Sequence, residues 1–253
     1  MKFDVVFGNP PYSDNGKSSA SNKLWGQFVE RSVDVLNDNG ICAMITPTGW
    51  ISPTSKYHNI IKDRLQIVNI SLSVSEAFSK VGGSQRFGWY IMSKSPNNQM
   101  PTVIFDDGQK QIDITSTPCP PVKTSSMYAY SIVDKVFKTC NEVYSWQRTT
   151  DKHGSGISMP MAKSPSYRVT FSDADELNLE RYYLSCDEDL GNSLAHNLNS
   201  KLYCKIRWWI RSGVAIAGNF KQLPIPSHSM TDDELYTYFD LTQEEIEYVE
   251  ATI

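Results

Sequence analysis

The chain has 253 residues, of which 40% are hydrophobic and 21% are charged. This composition is typical of an ordinary globular protein with one large or two small domains. The formal net charge is −4, but eight acids and no Lys or Arg fall within residues 231–253, so the rest of the chain is mildly basic and permits DNA binding. No apolar run is long enough for a membrane span. Five scattered cysteines and four dispersed histidines indicate reduced thiols, no metal site and a cytoplasmic protein.

A short apolar run opens the chain and ends in a rigid turn. Val5, Val6 and Phe7 predict a central strand of a parallel sheet, covered on both faces. Two prolines follow within four residues and fix two successive φ angles. Open α/β sheets bind ligands at the carboxyl ends of their strands. We therefore expect a functional site between Asn9 and Tyr12.

The side chains of this turn suit a planar ligand that carries an amino group. The Asn9 side-chain oxygen and the Pro10 carbonyl can both accept hydrogen bonds from one amino nitrogen. The Tyr12 ring can stack on the ring that bears this nitrogen. The alternative is a proline-rich turn that only ends the strand.

The elements that follow predict an α/β sheet. A helix over Leu24–Leu36, ended by Asn37–Gly40, and a buried strand over Ile41–Thr46 complete a βαβ unit with a parallel pair. Trp50 and Ile51 are expected to cap the core. Periodicity predicts these further elements: a helix at Tyr57–Leu65 and strands at Ile67–Val74, Phe87–Met92, Thr102–Phe105 and Ile112–Ile114.

The turn and its strand carry a family resemblance. Asn9-Pro10-Pro11-Tyr12 after Asp4–Gly8 resembles the catalytic motif of amino-group methyltransferases, above all the adenine-specific (N6) DNA methyltransferases of restriction–modification systems. The resemblance implies that this motif holds a flipped adenine, with Asn9 and Pro10 on its amino group and Tyr12 on its face. It further implies a second aromatic on the far face, for which Phe87 is the candidate and Phe78 the second choice. Core packing is the alternative for both.

A later stretch predicts a nucleic-acid contact. Apolar residues recur at helical spacing from Ser193 to Arg211, which predicts one amphipathic helix. Lys201, Lys205 and Arg211, with Trp208 among them, lie on another face and suit a phosphate backbone. The alternative is a solvated face with a half-buried Trp. Sequences farther on resemble the end of the family's target-recognition region, followed by an acidic terminal helix that we expect to lie away from the DNA.

The expected cofactor-binding half is missing from this sequence order. The family binds S-adenosylmethionine through a glycine-rich turn and a following acidic residue, and neither precedes Phe3. Gly213–Gly218 follows a helix and is rejected as a substitute. The resemblance thus implies a partial Rossmann-like methyltransferase sheet over residues 1–95 and a mixed α+β DNA target-recognition region over residues 96–253. A second chain would then carry the S-adenosylmethionine-binding half.

Three functions follow from these features. The first is site-specific DNA adenine N6-methylation, with S-adenosylmethionine as methyl donor and DNA as partner. The second is a catalytically inactive, methyltransferase-like DNA-binding or decoy protein. The third is methylation of another amino group, such as protein glutamine, but enzymes of that family end soon after the motif, whereas here a long region follows it.

Overall fold

The structure is a computed structural model that forms two compact units. It describes residues 1–12, 24–51, 55, 57–58, 66–71, 87–95, 102–112, 126–148, 155–160, 168–172, 181–210 and 222–251. The first unit contains residues 1–117 and 125–127, and the second contains residues 118–124 and 128–253. Over the described ranges, no helix has the length and apolarity needed to cross a membrane.

A mixed six-stranded sheet forms the first unit, which confirms the α/β class. Its strand order is β1-β2-β4-β3-β5-β6. The pairs β1–β2 and β3–β5 are parallel and the others are antiparallel. The sheet reaches beyond residue 95, since β5 and β6 belong to it. The elements are β1 (Phe3–Gly8), α1 (Leu24–Val35), β2 (Leu36–Pro47), β3 (Gln66–Ser71), β4 (Phe87–Ser93), β5 (Thr102–Phe105) and β6 (Gly108–Gln111).

The predicted βαβ unit is confirmed, with one local difference. Trp25, Val29 and Val33 recur along α1 and are all buried, so the helix follows its apolar spacing. The helix ends at Val35, within one residue of the predicted end, but Asn37–Gly40 forms part of β2, which already starts at Leu36. Pairing of Leu36 with Phe3 extends the sheet into this polar segment and overrides its turn preference.

The prediction that β1 is a central strand buried on both faces is wrong. Among the described strands, β1 ends the sheet and pairs only with β2. Phe3, Val5 and Phe7 are 44%, 57% and 82% exposed. The apolar run gives β1 its strand conformation, but burial depends on neighbours that lie elsewhere in the chain.

Most other predicted elements of the first unit lie where the sequence places them. Trp50 and Ile51 are buried, as expected for core caps. The strand that pairs with β5 across Asp106 and Asp107 is β6. Of the strand expected at 112–114, only residue 112 is described, and it lies outside β6. Only residues 57 and 58 of the helix predicted at 57–65 are described, and both are helical.

The described part of the second unit combines a small antiparallel sheet with five helices. The strand order is β7-β10-β8-β9, formed by β7 (Gln147–Arg148), β8 (Gly156–Pro160), β9 (Thr170–Ser172) and β10 (Arg181–Ser185). The helices of its described part are α2 (Met127–Thr139), α3 (Glu188–Leu198), α4 (Lys201–Trp209), α5 (Asp232–Tyr238) and α6 (Gln243–Ala251). Helices α2 to α6 all contribute buried side chains to one hydrophobic cluster.

The single helix predicted from Ser193 to Arg211 is wrong, because the chain breaks between α3 and α4. The Ser200 side chain accepts a hydrogen bond from the Tyr203 amide and so starts a new helix. The Asn199 side chain bonds both the N–H and the C=O of Val169, at 2.7 Å each. These polar contacts outweigh continuation of the helix, although the apolar residues on both sides still reach the same core.

Asn197 fastens a loop to the core of the second unit. Its side-chain nitrogen donates to the carbonyls of Pro226 and His228 at 2.9 and 2.8 Å. Its oxygen accepts from the amide of Met230 at 2.8 Å, and the side chain is fully buried. Three backbone groups of this loop therefore depend on one side chain.

We expect Asn197→Ala to lower the free energy of unfolding by about 3 kcal/mol, because it leaves three backbone groups without their bonds. Urea denaturation followed by far-UV circular dichroism measures the change. Asn192→Ala is the matched control, since Asn192 lies on the same helix but is exposed. Equal effects of the two substitutions would show that the Asn197 contacts contribute little.

Candidate functional site

The Asn-Pro-Pro-Tyr turn lies at the carboxyl end of β1. The parallel register pairs Gly8 with Met44, so the turn leaves the sheet beside the end of β2. Asn9 is exposed, Pro10 is buried and Tyr12 is half-buried. The buried proline fixes the backbone while the amide next to it remains accessible, which fits a binding turn.

Phe87 reaches the same end of the sheet from a distant part of the chain. It begins β4 and pairs with Pro47, the last residue of β2. Its ring centroid lies 4.7 Å from that of Tyr12, with 39° between the ring planes. The next residue, Gly88, approaches β3 so closely that an added Cβ would lie 2.5 Å from the Ser71 carbonyl oxygen. Close strand packing therefore holds Phe87 beside the turn.

The hydroxyl of Tyr12 donates a hydrogen bond to the side-chain oxygen of Asn9. Desolvation raises the pKa of the Tyr12 phenol, so the hydroxyl keeps its proton near neutral pH. An amide oxygen accepts two hydrogen bonds, so Asn9 retains one acceptor position for a ligand. This contact is not predicted above, although two polar side chains three residues apart in a rigid turn are a local signal for it.

The two aromatic rings contact each other and leave no slot between them. A base held between two rings needs a ring separation of about 7 Å, twice the ~3.4 Å spacing of stacked nucleotides. The observed 4.7 Å is too short. Phe87 thus lies in contact with Tyr12, and its role as a stacking residue on the far face of a base stays a prediction. Phe78, the second choice, lies outside the described residues.

The predicted basic face of α4 is only partly present. Lys205 is 8% exposed, and desolvation lowers the pKa of its amine. Its prediction as a free phosphate contact is therefore wrong for this conformation; the break before α4 and the packing of its long side chain explain the difference. Trp208 is half-buried. Arg211 lies outside the described residues.

Lys201 is exposed but already ion-paired. Its Nζ lies 2.5 Å from Oε2 of Glu250 on the terminal helix α6, and Oε1 of Glu250 accepts from the Tyr236 hydroxyl at 2.9 Å. The acidic terminal helix therefore contacts α4. Its expected position away from the DNA stays a prediction. One carboxylate of α6 thus pairs with one cation of α4 at the surface, where such an ion pair contributes little to stability.

The described residues supply neither a metal site nor a complete cofactor site. In this part of the chain, no group of three His, Cys, Asp or Glu side chains could hold a metal ion. The described strand ends of the first unit carry no glycine-rich turn that would bind S-adenosylmethionine.

We expect Phe87→Ala to lower the pKa of Tyr12 towards its ordinary value, because removing the neighbouring ring admits water. Carbon-13 NMR of labelled tyrosines, with the signal assigned from Tyr12→Phe, measures the titration. Phe28→Ala is the control, since Phe28 lies in the same unit and is 47% exposed. An unchanged Tyr12 titration in Phe87→Ala would contradict the desolvation by Phe87.

Comparison with known proteins yields a match over the N-terminal third. Residues 1–78 match the family model of the Eco57I restriction-modification methylase. An uncharacterized adenine-specific methylase of Mycoplasma pneumoniae is 31% identical over an alignment of 102 residues that covers 35% of this chain. The chain covers 24% of that relative's length.

Solved structures give weaker similarities, each over 40% of this chain. A chain of a type I restriction–modification assembly matches with a TM-score of 0.30 and 15% identity, over 23% of its length. A protein of Listeria monocytogenes described as a class I S-adenosylmethionine-dependent methyltransferase matches with a TM-score of 0.31 and 16% identity, over 34% of its length. A type I modification subunit of Vibrio vulnificus matches with a TM-score of 0.29 and 13% identity, over 25% of its length. These TM-scores are too low to support an argument.

The family match spans β1, α1, β2 and β3 and includes the whole Asn-Pro-Pro-Tyr turn. The Mycoplasma pneumoniae relative is named as an adenine-specific methylase. The predicted resemblance to the adenine methylases of restriction–modification systems is therefore confirmed, over the segment of the chain that carries the candidate site.

Proposed function

We propose that this chain is the base-holding and DNA-recognition part of a site-specific DNA adenine N6-methyltransferase that uses S-adenosylmethionine. The observation that carries the proposal is the turn after β1, where an accessible amide oxygen lies next to an aromatic ring. The match of residues 1–78 to a restriction–modification methylase supports it. The adenine-specific name of the Mycoplasma pneumoniae relative supports the substrate.

The turn would act by orienting the amino group of an extruded adenine. The Asn9 oxygen has one lone pair left after its bond with Tyr12, and the Pro10 carbonyl offers a second acceptor. Two acceptors on the two amino hydrogens fix the direction of the nitrogen lone pair. S-adenosylmethionine, when bound, supplies an electrophilic methyl group. The residues of this chain bind and align the base.

Entry of a base requires the Tyr12 ring to move. Its ring now contacts Phe87, at a distance that excludes a base between the two rings. Separating the two rings replaces one aromatic contact by two contacts with adenine. Extrusion of the base from the duplex costs a few kcal/mol, and the new stacking contacts offset part of that cost, at about 1–3 kcal/mol per base.

The methyl donor is proposed to bind mainly to another part of the complete enzyme. The described residues lack its glycine-rich turn, and the chain spans 24% of the length of its curated relative. A second chain or a further segment would supply this half. The isolated chain should then bind S-adenosylmethionine only weakly. The lack of a glycine-rich turn among the described residues also favours the second candidate function, a methyltransferase-like DNA-binding protein without activity.

The proposed DNA contact comprises Lys201 on α4 and, from the sequence alone, Arg211. Lys201 is exposed and reaches DNA only if it leaves Glu250. Lys205 is buried and instead supports the packing of α4. The phosphate contacts of this helix are therefore fewer than its sequence suggests.

We expect Asn9→Ala to abolish methyl transfer to DNA when the cofactor-binding part is present, because the substitution removes the acceptor for the amino group. Incorporation of labelled methyl groups into DNA measures activity. Asn141→Ala, an exposed asparagine of the second unit, is the control. The fold should be unaffected, since Asn9 is exposed. Full activity of Asn9→Ala would refute the assignment of the site.

We expect Lys201→Ala to make the slope of log affinity against log salt shallower by about 0.9, the value for one phosphate contact. Lys205→Ala should leave this slope unchanged and lower the melting temperature, because Lys205 packs in the interior. Fluorescence anisotropy with a labelled duplex, titrated at several salt concentrations, separates the two effects. If Lys205→Ala made the salt slope shallower without lowering the melting temperature, Lys205 would contact phosphate, as the sequence predicts.

A further inference from the structure

The candidate site is closed by its own side chains. The Tyr12 ring lies 4.7 Å from the ring of Phe87, which is only 5% exposed although it stands at the end of the sheet. The Tyr12 hydroxyl donates a hydrogen bond to the side-chain oxygen of Asn9. One side chain thus contacts both a core aromatic and the acceptor of the proposed site. We call this arrangement the closed turn.

The backbone of the closed turn is fixed, so opening must come from the Tyr12 side chain. Pro10 is buried, and Pro10 and Pro11 each hold φ at about −65°. Strand β1 keeps its register with β2 up to Gly8, one residue before Asn9. Tyr12 is only half-buried, and such a side chain can change its rotamer while the sheet stays folded. The movable part is therefore a single side chain.

Admitting a planar ligand breaks both contacts of Tyr12 at once. A ring inserted between Tyr12 and Phe87 needs about 7 Å between the two ring centres, whereas 4.7 Å is observed. The Tyr12 ring must move by roughly 2 Å, and its hydroxyl moves with it. The length of an O–H···O hydrogen bond varies by only about 0.5 Å. The bond between Tyr12 and Asn9 is therefore lost when the rings separate.

Exposure distinguishes the closed turn from permanent packing. Tyr203 in the second unit is fully buried and donates its hydroxyl to the Pro224 carbonyl at 2.8 Å, as a purely structural tyrosine does. Tyr12 is half-buried and bonds the side chain of Asn9, which is exposed. Water can bond both groups after they separate, so opening leaves no buried polar group without a partner. The closed turn can therefore open at low cost.

The two contacts of Tyr12 set the population of the open form. A net hydrogen bond shifts an equilibrium by about two- to twelvefold, and an aromatic pair shifts it by about the same factor. Together they favour the closed turn by roughly 10- to 100-fold. A ligand that needs the open form binds more weakly by that factor. The penalty is equal for all ligands, so it sets a threshold for binding and does not select among them.

We propose that Tyr12 is the gate of the candidate site: its contacts with Asn9 and Phe87 hold the site shut, and rotation of this one side chain opens it to a planar ring that bears an amino group. Such a ligand compensates both lost contacts, because its ring stacks on an aromatic side chain and its amino group donates to Asn9. This ligand class rests on the proposed function. The gate itself rests on the contacts of three described side chains.

The first test needs no ligand and uses carbon-13 NMR of the full chain with labelled phenylalanines. The Phe87 ring signal, assigned from Phe87→Leu, reports whether the Tyr12 ring lies beside it. Tyr12→Phe removes only the hydroxyl, and Tyr12→Ala gives the fully open limit. Tyr183→Phe is the matched control, because Tyr183 donates its hydroxyl to the Ser155 carbonyl at 2.9 Å in the second unit.

We expect the Phe87 signal of Tyr12→Phe to move towards its position in Tyr12→Ala, or to split if exchange is slow, because loss of the hydroxyl raises the open population by about two- to twelvefold. Tyr183→Phe should leave the signal in place. Circular dichroism checks that each variant is folded. An unchanged Phe87 signal in Tyr12→Phe, or in Tyr12→Ala, would overturn the gate.

The second test measures ligand access with a labelled single-stranded oligo(dA), whose bases need no extrusion from a duplex. Fluorescence anisotropy at one salt concentration should show that Tyr12→Phe binds about two- to twelvefold more tightly than the wild type. The gain should vanish with an abasic strand of equal length, which has no ring to insert. Weaker binding of oligo(dA) by Tyr12→Phe would overturn the gate, because the hydroxyl would then serve the bound state.

The gate and the proposed function fail separately. A Phe87 signal that moves while the affinity for oligo(dA) stays constant would keep the gate and count against a base as its ligand. An unchanged Phe87 signal, together with methyl incorporation that depends on Asn9, would keep the proposed function and remove the gate.

Discussion

The candidate site depends on two backbone ladders that meet at β2. The parallel ladder with β1 places the end of β1, and hence the Asn-Pro-Pro-Tyr turn, beside the end of β2. The antiparallel ladder with β4 returns Phe87 to the same point. Residues 75 positions apart in sequence thus come within ring contact through main-chain pairing. The pairing of the strands positions the side chains of the site. The prolines restrict the backbone of the turn and keep it at the end of the sheet.

Features encoded locally could be predicted, and features that depend on neighbours could not. The strand and rigid turn of residues 3–12 follow from an apolar run and two prolines, which are local signals. The burial of that run was predicted wrongly because β-branched and aromatic residues favour a strand whether or not another layer covers it. The contact between Tyr12 and Phe87 has no signal in spacing; the family resemblance suggested the pair, and the sheet register produces it.

The basic helix shows a second limit of periodicity. The apolar residues of α3 and α4 keep one spacing across the break at Asn199 and Ser200, because both helices face the same core. Their sequence therefore reads as one helix, although Ser200 is a good cap residue. Lys205 illustrates the result: its place in the pattern suggested a solvated face, but packing of α4 buries its stem.

The exposed β1 has a consequence for the abundance of the protein in a cell. An exposed apolar patch beside a strand that ends the described sheet is a surface that chaperones bind and that promotes aggregation. A partner that binds the patch only in the folded state stabilises that state by mass action and so reduces chaperone binding and aggregation. Molecules of this chain that are produced in excess of such a partner would be removed by proteolysis. The steady-state level of this chain would then follow the supply of that partner, so the sheet surface itself would set the stoichiometry of the assembly.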